Sequence, residues 1–281
     1  MPGAELTVVG MGMIGASAAL ALRSQFDRIS MIEPDERHAE HALSTGQADR
    51  RVDEVPADTD AVLLACPSDR IAGWIGVLED YPATIMDTGS VKAALIREVR
   101  ERRGARGETR TLPSNWVPCH PIAGLERSGP MVADANLFRD RKLILTPEAE
   151  TSPDHIERAR GWWRSTGALV EEMNAKDHDQ IYARTSHLPH LLVFAYLLGI
   201  GESDLVHTGG GFRDFSRIGG SDPVMWSGIF DRNSPALLSA LDQFEAHLAE
   251  FRQAIESGDM ERCRGLIASA REARRSGEGE A

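Results

Sequence analysis

The sequence predicts an α/β fold: a doubly wound, mostly parallel sheet followed by an all-helical domain. Three observations lead there. Short apolar or β-branched runs alternate with helix-spaced stretches over the first 173 residues, and such alternation builds parallel sheets covered on both faces. The first run ends in a glycine turn that opens directly into an alanine-rich stretch. After Met173 the strand signal fades and helical spacing dominates. The 281 residues suffice for two domains with a real core, expected to be residues 1–173 and 174–281.

Composition limits the partners. Apolar content of 42% and charged content of 26% are those of an ordinary soluble globular protein. A formal net charge of -12 argues against nucleic acid or an anionic membrane as main partner, since both call for a basic surface. The most apolar run, residues 188–200, holds 13 residues and is too short to span a bilayer. Cys66, Cys119 and Cys263 are widely spaced and odd in number, which gives neither a disulfide framework nor a zinc site and points to a reducing cytoplasm. The first strand follows the N-terminus with no basic n-region or cleavage signal, so a secretory leader is not expected.

Residues 5–10 (ELTVVG) form the first strand, which ends in Gly10-Met11-Gly12-Met13-Ile14-Gly15, and residues 16–23 favour helix. Strand, glycine turn and helix are the context in which GxGxxG cradles a pyrophosphate. The first glycine makes the turn, the second admits the phosphates, and the third lets helix pack on strand. Residues 29–32 form the second strand, and Glu33 follows 18 residues after Gly15. A carboxylate there accepts hydrogen bonds from a ribose diol and repels a 2′-phosphate, which favours NAD over NADP. A tight strand–helix turn without a ligand is the plainer alternative.

The alternation continues with a strand at 61–66 closed by Cys66 and Pro67, and a helix at 68–81. A strand at 83–86 runs into Asp87-Thr88-Gly89-Ser90, and a helix at 91–102 has Ser90 as its expected N-cap. A polar loop at 104–111 precedes the segment that delivers His120. Strands at 143–146 and 168–173 flank a helix at 153–165. Ligands on such sheets bind beyond the carboxyl ends of strands. Cys66, Pro67, Thr88, Ser90 and His120 are therefore expected at one crevice, with Met13 and Ile14 of the glycine turn beside the cofactor.

His120 lies between Cys119 and Pro121, where a short apolar segment ends in a rigid loop. Loops fixed by a scaffold concentrate catalytic groups. His120 reads as the general base of a dehydrogenase; an ordinary loop histidine is the alternative.

In the second half, residues 174–200 read as helix, and the part after His187 is apolar all round. Such a helix must be covered on every side, so a second subunit is expected, giving a homodimer. Further helices are expected at 225–230, 235–256 and 260–274, with a disordered tail at 275–281. His187 and His190 share a helix face. They read as pocket lining or as an interfacial pair; HExxH spacing is absent, so no metal is expected. Arg213 and Arg217 are four apart behind three glycines. They suit bidentate carboxylate recognition, or else form a solvated basic face on which Asp214 pairs one arginine.

Taken together, GMGMIG, DTGSVK (residues 87–92), CHPIAGLERSG (119–129), SHLPH (186–190) and GGGFRDFSRI with SDPVMW (209–226) resemble the prephenate/arogenate dehydrogenase family of tyrosine biosynthesis. The pieces span nearly the whole chain in family order. The resemblance implies a Rossmann-like domain, a helical dimerisation domain, and an active site between them. There a cyclohexadienol is oxidised by NAD with loss of carbon dioxide. It implies that His120 accepts the proton of the ring hydroxyl, that Ser90 lies near that hydroxyl and the nicotinamide, and that Arg217 binds a substrate carboxylate. His190, His187 and Arg213 would line the pocket, and Glu126 and Asp214 would form an ionic gate with Arg217. Leu125 stands where some members carry a polar residue, and the regulatory or mutase domain of others is not expected here.

The chemistry suits these residues. A secondary alcohol is a poor hydride donor until its proton is drawn off, so a positioned base is needed. Neutral imidazole, with an unperturbed pKa of about 6.5, serves at pH 7. The ring carboxylate then leaves as the ring aromatises. The substrate side chain is open: prephenate, arogenate, or an amino-substituted prephenate. A non-catalytic NAD-binding regulator is the rival of another class, disfavoured because a sensor needs none of His120, Ser90 and Arg217.

Overall fold

The computed structural model describes residues 3–124 and 127–278. The chain forms two compact units, a larger one ending at Asn233 and a smaller one beginning at Ser234.

The larger unit opens with β1 (Glu5–Val9), α1 (Met13–Leu22), β2 (Arg28–Ile32), α2 (Glu36–Ser44) and β3 (Arg50–Arg51). Then come β4 (Ala61–Leu64), α3 (Ser68–Leu78), β5 (Thr84–Asp87), α4 (Ala93–Ala105) and β6 (Trp116–Val117). These six strands make one parallel sheet in the order β3-β2-β1-β4-β5-β6. Side chains alternate between its faces. Leu6 and Val8 of β1, with Leu63 of β4 and Met86 of β5, enter one core cluster. Val9, Val62, Leu64 and Ile85 enter the cluster on the other face. Both faces are thus buried, which is why these strands read as nearly continuous apolar runs. Truncating Leu63 or Leu64, each fully buried, to alanine would cost about 2–5 kcal/mol.

The strand order reverses direction between β1 and β4, which pair with Val9 opposite Leu64. Such a switch point leaves a crevice beyond the strand ends. The glycine turn follows β1 there, and Cys66 and Pro67 follow β4.

The segment carrying His120 departs from expectation. It is not a loop closing a strand of the main sheet but a short strand, β7 (Cys119–Pro121), of a second sheet. Its neighbours are β8 (Lys142–Leu145) and β9 (Leu169–Glu172), antiparallel in the first pairing and parallel in the second. Pro118 lies between β6 and β7 and cannot donate to a ladder, so the sheet is interrupted there. The helix α5 (Pro153–Ser165) matches its expected bounds and drives Trp163, fully buried, edge-on against Phe138 with ring centroids 5.3 Å apart.

Beyond β9 the unit is helical: α6 (Ala175–Tyr182), a π-helical segment (Ala183–His187), α7 (Leu188–Leu197), α8 (Glu202–Leu205), α9 (Gly210–Ser216) and α10 (Pro223–Arg232). The register slip of the π segment lies within the single helix expected at 174–200. Such slips often occur at functional positions. Only Leu188 and Val193 of α7 are buried, and Tyr196 and Leu198 stand 44% and 90% exposed.

The smaller unit is a hairpin of α11 (Ser234–Glu256) and α12 (Met260–Glu278). Gly258 turns it at φ 70, and the Asp259 carboxylate accepts from the Arg262 amide at 2.9 Å. The expected disorder from residue 275 does not hold as far as Glu278, which still belongs to α12; residues 279–281 lie outside the described residues. Among the described residues no helix is long and apolar enough to cross a membrane.

Candidate active site

The glycine turn has the geometry a dinucleotide requires. Gly10 adopts φ +95, and a Cβ there would lie 2.7 Å from the Ala65 carbonyl oxygen. A Cβ on Gly15 would collide with the Gly10 carbonyl oxygen, so helix and turn close on each other only with glycine. A Cβ on Gly12 would meet nothing within 4 Å, which leaves room for a phosphate at the N-terminus of α1. Met13 and Ile14 form the first turn of that helix. Glu33, at the end of β2, is buried; its Oε2 accepts from the Met11 amide at 2.7 Å and its Oε1 from the Asp35 amide at 2.9 Å. Each oxygen keeps a lone pair for a ribose hydroxyl.

Across the switch point, Cys66 is half-buried and Pro67 caps α3. Burial pushes the Cys66 thiol up to about 12, so it is a wall and not a nucleophile. The Thr88 amide donates to the Leu64 carbonyl at 3.1 Å, tying the loop after β5 to β4.

That loop is held by a buried charge pair. Lys92 Nζ lies 2.6 Å from Asp87 Oδ1, with neither side chain exposed, and also donates to the Cys119 carbonyl. The other Asp87 oxygen accepts from Trp116 Nε1 at 3.1 Å and from the Cys119 amide at 3.3 Å. One ion pair therefore joins the loop carrying Ser90 to the strand carrying His120. Ser90 is not the cap of α4, contrary to expectation. The helix begins at Ala93, and its first amides, Lys92 and Ala93, both donate to the Asp179 carboxylate of α6 at 2.9 Å. With those donors satisfied, the Ser90 hydroxyl is not drawn into the helix end.

His120 lies half-buried on β7 opposite Ile144. Its Nδ1 is 2.8 Å from His178 Nε2, and His178 Nδ1 is 2.8 Å from Asp179 Oδ1. Tyr182, one helical turn beyond His178, stands edge-on to the His120 ring at 5.2 Å between centroids. Burial first, then the electrostatic influence of His178, Lys92 and His187, which opposes a second cation in the same pocket, holds the His120 pKa well below the usual histidine value. That direction favours the neutral imidazole at physiological pH.

His187 and His190 part company across α7. His187, 2% exposed, takes a hydrogen bond at 3.0 Å from Asn233 Nδ2, and burial lowers its pKa to about 4. His190 bonds the Ser186 carbonyl through Nδ1 at 2.8 Å and stacks on Trp226 with centroids 3.6 Å apart. Arg213, Asp214 and Arg217 are exposed in α9 and the turn after it. Tyr196 of α7, 5.3 Å from Phe215 between ring centroids, packs against α9. Among the described residues no hydrogen bond joins Arg213 or Asp214 to the histidines. Glu126, and with it Leu125, lies outside the described residues.

Four participants were missed in the sequence: His178, Asp179, Lys92 and Asn233. The pair His178-Asp179 sits one turn into a helix that Asn174 caps, its side chain accepting from the Asp177 amide at 2.8 Å. A histidine followed by aspartate at a helix start is the signal that was available. Lys92 stands inside the DTGSVK motif, where sequence spacing alone does not show its pairing with Asp87.

A dinucleotide turn at the switch point of a parallel sheet, with a neutral buried-edge histidine beyond it, defines an NAD-dependent dehydrogenase. Comparison with known proteins narrows the class. Residues 18–172 match the family described as prephenate dehydrogenase, nucleotide-binding domain, and residues 174–269 match prephenate dehydrogenase, dimerization domain. The chain belongs to the prephenate dehydrogenase family. It is 32% identical to the cyclohexadienyl dehydrogenase of Zymomonas mobilis over 91% of this chain and 89% of that one. It is similar to the prephenate dehydrogenase of Aquifex aeolicus in complex with hydroxyphenyl propionate and NAD+, with TM-score 0.85, 28% identity, and coverage of 100% of this chain and 99% of that one. The arogenate dehydrogenase of Synechocystis gives TM-score 0.79 and 26% identity, with coverage of 97% and 99%.

Proposed function

We propose that this dehydrogenase oxidises prephenate to 4-hydroxyphenylpyruvate with NAD, releasing carbon dioxide, as a step of tyrosine biosynthesis in the cytoplasm. The observation that carries the reading is His120: neutral at physiological pH, with Nδ1 engaged by His178, it leaves Nε2 for a substrate hydroxyl. When bound, NAD supplies the hydride acceptor. Gly10, Gly12, Met13, Ile14, Gly15, Glu33, Cys66, Pro67 and Thr88 would hold it. His120 takes the hydroxyl proton as hydride leaves the ring carbon, and Ser90 orients that hydroxyl. Arg217, with His190, His187 and Arg213 beside it, holds the substrate anion, and Glu126 and Asp214 gate the entrance with Arg217.

A cyclohexadienyl or arogenate activity is the second reading, favoured by the likeness to the Zymomonas and Synechocystis enzymes. Comparison of kcat/KM for prephenate and arogenate, each with NAD and NADP, tests both. A higher value for prephenate with NAD supports the first reading; a higher one for arogenate overturns it.

Residues 1–173 are assigned to the dinucleotide and 174–281 to substrate and dimerisation. The exposed apolar side chains of Tyr196 in α7 and Leu198 at its C-terminal cap, and of Leu248, Ile255 and Ile267 in the hairpin, suit burial in a homodimer. Light scattering on the active enzyme would read about twice the 30.7 kDa chain mass; an active monomer contradicts the assignment.

A further inference from the structure

The reading of His120 as base leaves open which ring nitrogen carries its proton, and the geometry around it answers. Asp179 already accepts from two amides, Lys92 through Oδ1 and Ala93 through Oδ2. A carboxylate only accepts, so its 2.8 Å contact with His178 Nδ1 places a proton on that nitrogen. Neutral His178 then has a bare Nε2. The 2.8 Å contact between that Nε2 and His120 Nδ1 is therefore donated by His120. His120 is left with its proton on Nδ1 and a lone pair on Nε2.

From this chain of bonds we infer that His178 and Asp179 are positioning residues of the reaction: they lock His120 in its Nδ1–H tautomer and share the proton it acquires. The inference rests on His120 being the base. In the reaction the substrate O–H bond breaks and its proton forms a bond to His120 Nε2, while the hydride leaves with its electron pair to the nicotinamide. The resulting cation is stabilised through His120 Nδ1–H by His178 Nε2. As that proton shifts towards His178, the positive charge moves next to the Asp179 carboxylate. Nothing is oxidised or reduced in the relay.

The burial of the relay fits the role. His178 is fully buried and Asp179 is 5% exposed, so no water competes for these bonds, and a histidine oriented by a carboxylate gains both a fixed tautomer and a stabilised imidazolium. The charged and titratable groups facing the pair are Lys92 at the start of α4, Asp87 of β5, Tyr182 of α6 and His187 of the π segment. Lys92 opposes a cation here and Asp87 cancels part of that opposition across 2.6 Å. Asp179 is thus the carboxylate in direct hydrogen bond with the relay. Asn233 fixes it from the far side, its Nδ2 donating to the Asp179 carbonyl at 2.9 Å.

The test has two parts. Long-range ¹H–¹⁵N spectra of the ¹⁵N-histidine-labelled enzyme, assigned with His120→Asn, read the tautomer of His120 without turnover. The expected result is protonated Nδ1 and bare Nε2; protonated Nε2 overturns the inference, whatever His120 does in catalysis. In the second part His178→Gln, whose amide oxygen can still accept from His120, is compared with His178→Leu, which cannot. The leucine variant is expected to lose kcat by about 10²-fold or more, with KM little changed and the His120 tautomer released. The glutamine variant is expected to keep kcat within about tenfold and to keep the tautomer. A full-rate leucine variant, or equal losses in both variants alongside equal falls in Tm, overturns the relay. A fully active His120→Asn enzyme would remove the base assignment separately.

Discussion

Lys92 Nζ and Asp87 Oδ1 are 2.6 Å apart at the carboxyl end of the main sheet, and water reaches neither side chain. The pair spans the loop of Ser90 and the strand of His120, because the same ammonium also donates to the Cys119 carbonyl. Removing one partner strands a buried charge, which costs about 3–5 kcal/mol. Asp87→Asn is expected to lower the denaturant midpoint accordingly, and a double change to an apolar pair not to restore it, because the buried Trp116 and Cys119 donors lose their acceptor. Chemical denaturation of the parent and the two variants checks this; an Asp87→Asn protein as stable as the parent contradicts it.

The acid limb of kcat/KM follows from the same pocket. On the proposed reading the active form of His120 is neutral, and burial holds its pKa below the ordinary value of 6.5. As pH falls, activity holds until the pH approaches that lowered pKa and only then declines. The profile of kcat/KM, which reports the free enzyme, is expected to bend below pH 6.5. A bend at or above it contradicts the burial argument.

Stability should also fall with acid, and the sign can be worked through on His187. Its folded pKa is about 4 against an unfolded value of 6.5, so between these limits the unfolded chain binds more protons. Its contribution is fully present above pH 6.5 and is lost as pH falls through 4, by about 3 kcal/mol in total. Denaturation series at pH 7, 5.5 and 4 check the slope. His187→Asn, whose amide does not titrate there, should flatten it, and an unchanged slope would remove the assignment.

Arg217→Ala should act mainly on binding. A carboxylate that loses a guanidinium partner binds less tightly in ground and transition state alike, so KM is expected to rise by about tenfold or more with kcat little changed. Steady-state kinetics check this; an unaltered KM transfers the role to Arg213.

Much of this was legible in the residues, where local rules dominate. The glycine turn and the acidic residue after β2 follow from backbone sterics and short-range spacing, and α5 follows from Pro153 at its first turn. What was not legible depends on contacts far apart in sequence. Asp179 caps α4 from 86 residues away through the Ala93 amide, so the cap that Ser90 suggests by its position is not the one that forms. His178 reaches His120 across 58 residues, and no periodicity marks it. The short strand of His120 reads as a loop in the sequence because Pro118 breaks the ladder between β6 and β7.

The most direct test of the account is the steady-state kinetics of His120→Asn with prephenate and NAD. Loss of the base is expected to lower kcat by about 10²–10⁴-fold with KM within about threefold of the parent. A variant that turns over at the parental rate would mean that the imidazole at the edge of β7 takes no proton from the substrate.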